Sequence, residues 1–404
     1  MASLDYPRRK KLQIIAIVLL LLVCVLVLVA CNKNDGIYDV SGAEISLPTH
    51  FMAKFMLNIN DNIGNFGWTV VVFTIVLRLI LSPIDFWQKL VARKNAKAME
   101  RMKPQLEVLQ EKLKDDKERY QQEQMALYKK EHYSMMGACL PTIVTMVVFM
   151  VVFAGFRQMV GYQFALDYKN SYNVFETAFT AGLEAEFGEG AKVETIEKTE
   201  ANAEKIDKII SDAQDKVSLS YYSQDEVNKR SFLWIKNIFV PDTWKHSVPD
   251  HMTVTGQTGF ATSKLEGVMV DEYNLVMAKV LNTGGWGKGG SWNGWLLLPA
   301  LSIVLSFLST KLMSKSQGAP PAMPQGDKKG KDGKPKGGME GSMKMMQYMM
   351  PVMMGVFAVM YSGAFALYMF VSSLCALLFQ GGFDLVAKIV DVTREKRGVV
   401  KVKK

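Results

Sequence analysis

The chain has 404 residues, of which 49% are hydrophobic and 22% charged, with a formal net charge of +9. That is too apolar for an ordinary soluble protein and too charged for a chain lying wholly in lipid; apolar runs alternating with charged blocks point to a polytopic membrane protein. Cys24, Cys31, Cys139 and Cys375 lie in apolar runs or close one, and His50, His132, His246 and His251 are scattered, so a disulfide framework, a metal site and a catalytic constellation are not expected, nor any cofactor.

The chain begins with a basic Arg8-Arg9-Lys10-Lys11, an apolar stretch from Leu12 to Ala30, and Leu28-Val29-Ala30-Cys31. A basic start, a greasy core and small residues before a cleavage point make a secretory signal. The Cys resembles the lipidated residue of bacterial lipoproteins, which predicts a signal at 1–30 and a lipid anchor at Cys31; an uncleaved first transmembrane helix is the other reading. Either choice leaves 31–63 outside.

A first core span is expected from Gly64 to Ile84, with its helix carried to residue 88. It contains Arg78, flanked by Phe73, Ile75, Val76, Leu77, Leu79, Ile80 and Leu81. The next basic residue, Lys89, is about 16 Å further along a helix. A guanidinium in hydrocarbon costs from roughly 2.5 to over 10 kcal/mol, so such a residue usually faces a wet cavity or finds partners. Thr74, Arg78, Ser82 and Asp85 fall on one helical face, which points to a polar, water-filled pocket. A direct Arg78–Asp85 pair, two turns apart across Pro83, is expected only with a kink. The structural alternative is an Arg tied to helix-end carbonyls or a carboxylate.

Residues 89–137 read as a helical hairpin. Met99, Met102, Leu106, Leu109 and Leu113 make an apolar seam, Asp115-Asp116 break it, and a second helix at about 117–133 offers Tyr120, Leu127 and Tyr128. Its basic start suits headgroups, a ribosome or a targeting factor, or only enforces topology. A second span follows at 138–160, then a hydrophilic insert at 161–293 in which Ala203, Ile206, Ile209, Ile210, Ala213 and Val217 predict an amphipathic helix. Its Gly-rich end, Gly284–Gly290, lacks the residues of a phosphate-binding loop. A third span is expected at 294–313, a disordered loop at 314–344, a fourth span at 345–361, a fifth at 365–383 and a basic tail at 384–404. The methionines of the fourth span, including Met346, Met350 and Met353, recur along one helix face. Such a stripe suits either a surface for varied apolar segments or ordinary helix packing.

Charge orients these pieces. Residues 89–133 carry 12 basic against 8 acidic residues, 161–293 carry 13 against 19, and the tail after Phe383 carries seven Lys and Arg against three acids. The positive-inside rule then puts the hairpin and C-terminus in the cytoplasm and the insert outside. Counting five spans from an outside start gives the same result. Trp68, Trp292 and Trp295 fall at the expected outer ends.

Several motifs, in order, resemble the YidC/Oxa/Alb membrane protein insertase family over about 64–383. They are Arg78 through Pro83, Lys97 to Pro104 with Met99 and Met102, Cys139-Leu140-Pro141, Phe232-Leu233-Trp234-Ile235 with Pro241-Asp242, and Leu367-Tyr368 through Ser372-Ser373 to Gln380. The resemblance implies an all-α integral membrane protein of a bacterial plasma membrane. Its five-helix core would surround a hydrophilic groove open to cytoplasm and lipid, with a cytoplasmic hairpin and an inserted extracytoplasmic region. Arg78, Thr74, Ser82, Tyr368, Ser372 and Gln380 would line the groove, and Met346, Met350 and Met353 the surface along which client spans slide. Nascent membrane proteins and lipids are the implied partners, with a ribosome, the signal recognition pathway and a Sec translocon beside them and no sequence-specific nucleic acid. The chain departs from the family pattern at Ser134-Met135, at Ser362-Gly363-Ala364-Phe365, at Met369 and in the length of 161–293. A competing class is a transporter using Arg78 as an anion site, although no internal repeat supports it. A surface lipoprotein would leave five spans unexplained.

Overall fold

The computed structural model describes residues 37–42, 44–113, 116–131, 133, 135–257, 264–282, 292–317, 352 and 355–402. In chain order these form β1 (Ile37–Asp39), α1 (Phe51–Ile63), α2 (Phe66–Lys112), α3 (Lys117–Lys130), α4 (Met135–Phe187), α5 (Glu200–Tyr221), α6 (Gln224–Arg230), α7 (His251–Val254), β2 (Lys264–Glu266), α8 (Val270–Asn282), α9 (Leu297–Gln317) and α10 (Gly363–Val402). Helix dominates, and the two strands are three residues each. Three helical stretches, Phe66–Lys112, Val144–Phe187 and Gly363–Val390, are long and apolar enough to cross a bilayer, and Leu297–Leu312 is a shorter apolar helix. The protein is an all-α integral membrane protein. Of the loop expected at 314–344, residues 314–317 instead continue α9, and the rest of it, the signal, Cys31 and Met346, Met350 and Met353 lie outside the described residues.

The helices do not stop where polarity changes. α2 continues from its apolar stretch to Lys112, α4 runs on to Phe187, and α10 to Val402. A span is limited by the thickness of the hydrocarbon, whereas a helix ends only where its backbone pattern is broken. Beyond the apolar runs the side chains become charged but remain good helix formers.

The chain folds into two units. The first comprises residues up to Phe73, Met146–Leu298 and Ala358–Tyr368. In it the extension of α4 joins α5 and α8 in a small bundle. Gly182 leaves room for Ile209, Tyr168 stacks on Tyr273 at 5.3 Å, and Ala213, Val217 and Tyr221 meet a face made by Tyr273, Val276, Met277 and Val280. The amphipathic face expected in α5 is found, burying more deeply towards its C-terminus; Ala203 at its start is exposed. Lys279 Nζ bonds Ser211 Oγ at 2.8 Å and pairs with Asp215 at 2.6 Å. A buried Arg230 lies over the Tyr221 ring, 3.8 Å from its centroid, and pairs with Asp167 at 3.4 Å. Leaving either charge alone there would cost several kcal/mol.

The N-terminal segment is tied to the same unit. β1 pairs in parallel with β2, Ile37 opposite Lys264. Gln158 of α4 accepts from His50 N at 2.7 Å through Oε1, and donates to Thr49 Oγ1 at 3.0 Å. Tyr38 donates to the Gln158 carbonyl at 2.9 Å.

One stretch, residues 228–243, organises three helix starts. Asn65, just before α2, donates to the carbonyls of Asn228 and Ser231, and a side chain at Gly67 would overlap the Phe232 ring. The amides of Gly363 and Ala364, opening α10, donate to Val240 and Ile238 at 2.9 and 2.7 Å. Fully buried Asp242 accepts from Trp295 N and Leu298 N, both at 2.9 Å, and so acts as a remote N-cap for α9. Between those two amides Leu296 is held at φ 60°, a strained setting for Leu. Asn293 completes the network by donating to Asn237, Val240 and Pro241 carbonyls.

The second unit comprises Thr74–Thr145, Pro299–Phe357 and Met369–Lys404. Here the seam of α2 folds onto α3: Ala98, Met99, Met102 and Leu106 pack with Tyr128, flanked by Leu127 and Tyr133. Asp116 caps α3 by accepting from Arg119 N at 3.0 Å, and Arg101 pairs with Glu131 at 3.1 Å.

Two outcomes test this description. Asp242→Ala should destabilise the detergent-solubilised protein by about 2 kcal/mol, more than Asp242→Asn, which keeps an acceptor oxygen, as read by thermal melting. Burial raises the Tyr221 and Tyr273 phenols above their usual 10.0. Above pH 10 the unfolded chain then holds fewer phenolic protons than the folded one, so stability falls as pH rises. Circular dichroism should show the bundle melting at lower temperature above that pH, and less steeply with Tyr273→Phe.

Candidate functional site

The site lies in the second unit and is built from the parts of α2 and α10 within it. Arg78 interrupts an apolar stretch of α2 in which Leu79 and Ile80 are exposed and Leu77 is buried. Its guanidinium is fixed by two donors: Nε donates to Ser372 Oγ at 2.9 Å, and Nη2 donates to the same oxygen. The remaining nitrogen, Nη1, stands 3.7 Å from Asp85 Oδ2. The Arg78 side chain is 23% exposed and that of Asp85 28%, so the pair is not sealed in a dry interior.

The Arg78–Asp85 pair, expected from sequence only if the helix kinked, is present. Seven residues are nearly two full turns, so the two side chains share a face about 10.5 Å apart along the axis, and the long Arg stem spans much of that distance. α2 is continuous through Pro83. Pro83 has no N–H for the Leu79 carbonyl, four residues back, and Ser82 supplies the donor instead, with Oγ 2.8 Å from Leu79 O. Ser82 thus mends the helix at its proline.

Further along, charges of alternating sign continue. Lys89 is within electrostatic reach of Asp85 and of Asp384 on α10. Buried Gln380 donates to both carboxylate oxygens of Asp384 at 3.1 Å. Phe86 and Phe383 meet edge-to-face at 5.6 Å, and Lys89 Nζ lies 6.0 Å from the Phe383 ring. Ser306 of α9 and Ser373 of α10 share a hydrogen bond at 3.1 Å. With Arg78 and Lys89 set against Asp85 and Asp384, these four groups sum to zero charge. Their arrangement can order and exchange charged or hydrogen-bonding groups. Among the described residues no cluster of three or more His, Cys, Asp or Glu is placed to hold a metal.

Of the residues singled out from sequence, Arg78 and Ser372 are in direct contact, Gln380 sits two turns beyond Ser372 on α10, and Ser82 serves its own helix. Thr74 is fully buried on the Arg78 side of α2. Tyr368 belongs to the first unit, packed on Phe156 at 5.5 Å and Phe365 at 5.9 Å. Lys89 and Asp384 were not anticipated as site residues. Their signal was the spacing itself: Asp85 and Lys89 are one turn apart, as are Gln380 and Asp384.

The sequence model of the 60Kd inner membrane protein family matches residues 58–383, a stretch that holds Arg78, Asp85, Lys89, Ser372 and Gln380 and ends one residue before Asp384. The chain belongs to that family, the family of YidC and Oxa. Similar proteins include the membrane protein insertase YidC of Stutzerimonas stutzeri (strain A1501), 34% identical over 96 residues, which are 24% of this chain and 16% of that protein. Those of Stenotrophomonas maltophilia (strain K279a) and Ectopseudomonas mendocina (strain ymp) are each 35% identical, over 91 and 95 residues, covering 22% and 24% of this chain and 15% and 16% of those proteins. The matched stretches thus span about a sixth of these YidC proteins.

Ser82→Ala should leave the Leu79 carbonyl without its donor and lower stability by about 1 kcal/mol. Ser82→Thr should not, since it keeps the hydroxyl. Paired melting curves in detergent check this.

Proposed function

We propose that the protein is a membrane protein insertase. A nascent membrane protein's hydrophilic segment would enter a groove around Arg78, and its apolar span would leave sideways into the bilayer. The observation that carries this reading is Arg78 itself: a partly accessible cation in an apolar helix, oriented by Ser372, in a chain of this family. Moving polar groups through hydrocarbon is costly because nothing there replaces their hydrogen bonds. A channel of fixed polar groups supplies those bonds along the way, and no covalent step is required. Thr74, Tyr368, Ser372 and Gln380 would line the path, and Met346, Met350 and Met353 would offer a deformable surface to departing spans.

The proposed setting is a bacterial plasma membrane, with residues 161–293 and a lipid-bearing Cys31 outside and the α2–α3 hairpin and C-terminus in the cytoplasm. The basic hairpin and tail suit anionic headgroups, and a ribosome, the signal recognition pathway and a Sec translocon are the proposed collaborators.

Depletion of the protein should impair insertion of a small single-span membrane protein in cells. Arg78→Ala should reduce the rate about tenfold, equivalent to ~1.4 kcal/mol. Arg78→Lys should fall between, since one ammonium keeps the charge but cannot reach Ser372 and Asp85 with the same planar geometry. Normal insertion on depletion, with loss of a solute flux in Arg78→Ala, would instead favour an anion transporter.

A further inference from the structure

The bonds that hold Arg78 and the contact that neutralises it are different. Nε and Nη2 are both spent on Ser372, which fixes the plane of the guanidinium. Asp85 approaches only through Nη1, at 3.7 Å, longer than a charge-assisted hydrogen bond, and both side chains are partly accessible. The ion pair can therefore separate while Ser372 keeps Arg78 aimed. Asp85 has somewhere to go, since Lys89, one turn along, is within electrostatic reach of it. Lys89 is also within electrostatic reach of Asp384, which Gln380 holds through both oxygens. Breaking an ion pair in a low-dielectric setting is costly mainly because it strands a charge. An incoming carboxylate that takes Arg78 leaves Asp85 within electrostatic reach of Lys89, so the displaced carboxylate still has a cation near it although the group as a whole gains one negative charge.

We propose that Asp85 is a resident counter-ion that occupies Arg78 between clients and sets how strongly a client segment bearing a carboxylate is preferred over a neutral one. This rests on the insertase reading. Asp85 is a positioning and selectivity residue: an acidic segment must displace it from Arg78, whereas a neutral one gains nothing by doing so. Lys89 stays within electrostatic reach of the displaced carboxylate.

The test uses the full-length chain in liposomes and two single-span clients that differ only by Asp or Asn in the segment to be translocated. Asp85→Asn should raise the Asp-to-Asn insertion ratio about threefold, the size of effect that a partly exposed pair supports, and Asp85→Glu should keep the wild-type ratio. A ratio unmoved by Asp85→Asn, or an equal loss of both clients that Asp85→Glu does not restore, would overturn the proposal. Failure of the unaltered protein to insert either client would overturn the insertase reading. Phenylglyoxal labelling of Arg78, followed by mass spectrometry, then judges the pair by itself. Faster labelling in Asp85→Asn supports the counter-ion, and equal labelling sinks it.

Discussion

A positive charge set into an apolar helix constrains everything around it. Arg78 is tolerable only if its five donors find partners or water, and the surrounding chain is arranged accordingly. Ser372 takes two of the donors, Asp85 stands by a third nitrogen, and the side chain stays partly open. The polar residues of α10 are therefore tied to those of α2 by charge compensation, and the neutrality of the four-group ladder follows from the same requirement. A cluster with net charge would be far harder to hold beside lipid than one whose signs alternate.

The stretch 228–243 meets a second constraint of membrane helices, the unsatisfied amides at their starts. Buried Asp242 and the carbonyls of Ile238 and Val240 answer these needs for α9 and α10, while Phe232 fits against Gly67. One short polar loop thereby sets where several spans begin. This explains why it combines large apolar residues with an Asp and two Asn.

Much of this was legible in the sequence. Arg78 stood out because nothing else charged lies near it in the run, and the hairpin seam because Met99, Met102 and Leu106 keep helical spacing. Ser372 carried no signal of its own; only the family pattern pointed to it, because a lone serine in an apolar helix is ordinary. The Arg78–Asp85 pair needed the coordinates to establish, since spacing counts turns and does not measure the reach of a long stem. The extension of α4 into the bundle was hidden for another reason: hydropathy reports where lipid ends, whereas helix continuity depends on partners such as Ile209 and Tyr273 that are distant in sequence. The capping by Asp242 was likewise invisible, because its recipients lie more than fifty positions away.

The hydroxyl that bridges the gap at Pro83 couples positions 82 and 83 energetically. Alanine at 82 is a defect while the proline remains and is harmless once any residue with an amide proton replaces it. Losing the hydroxyl first therefore costs about 1 kcal/mol, whereas replacing the proline first removes the need for it.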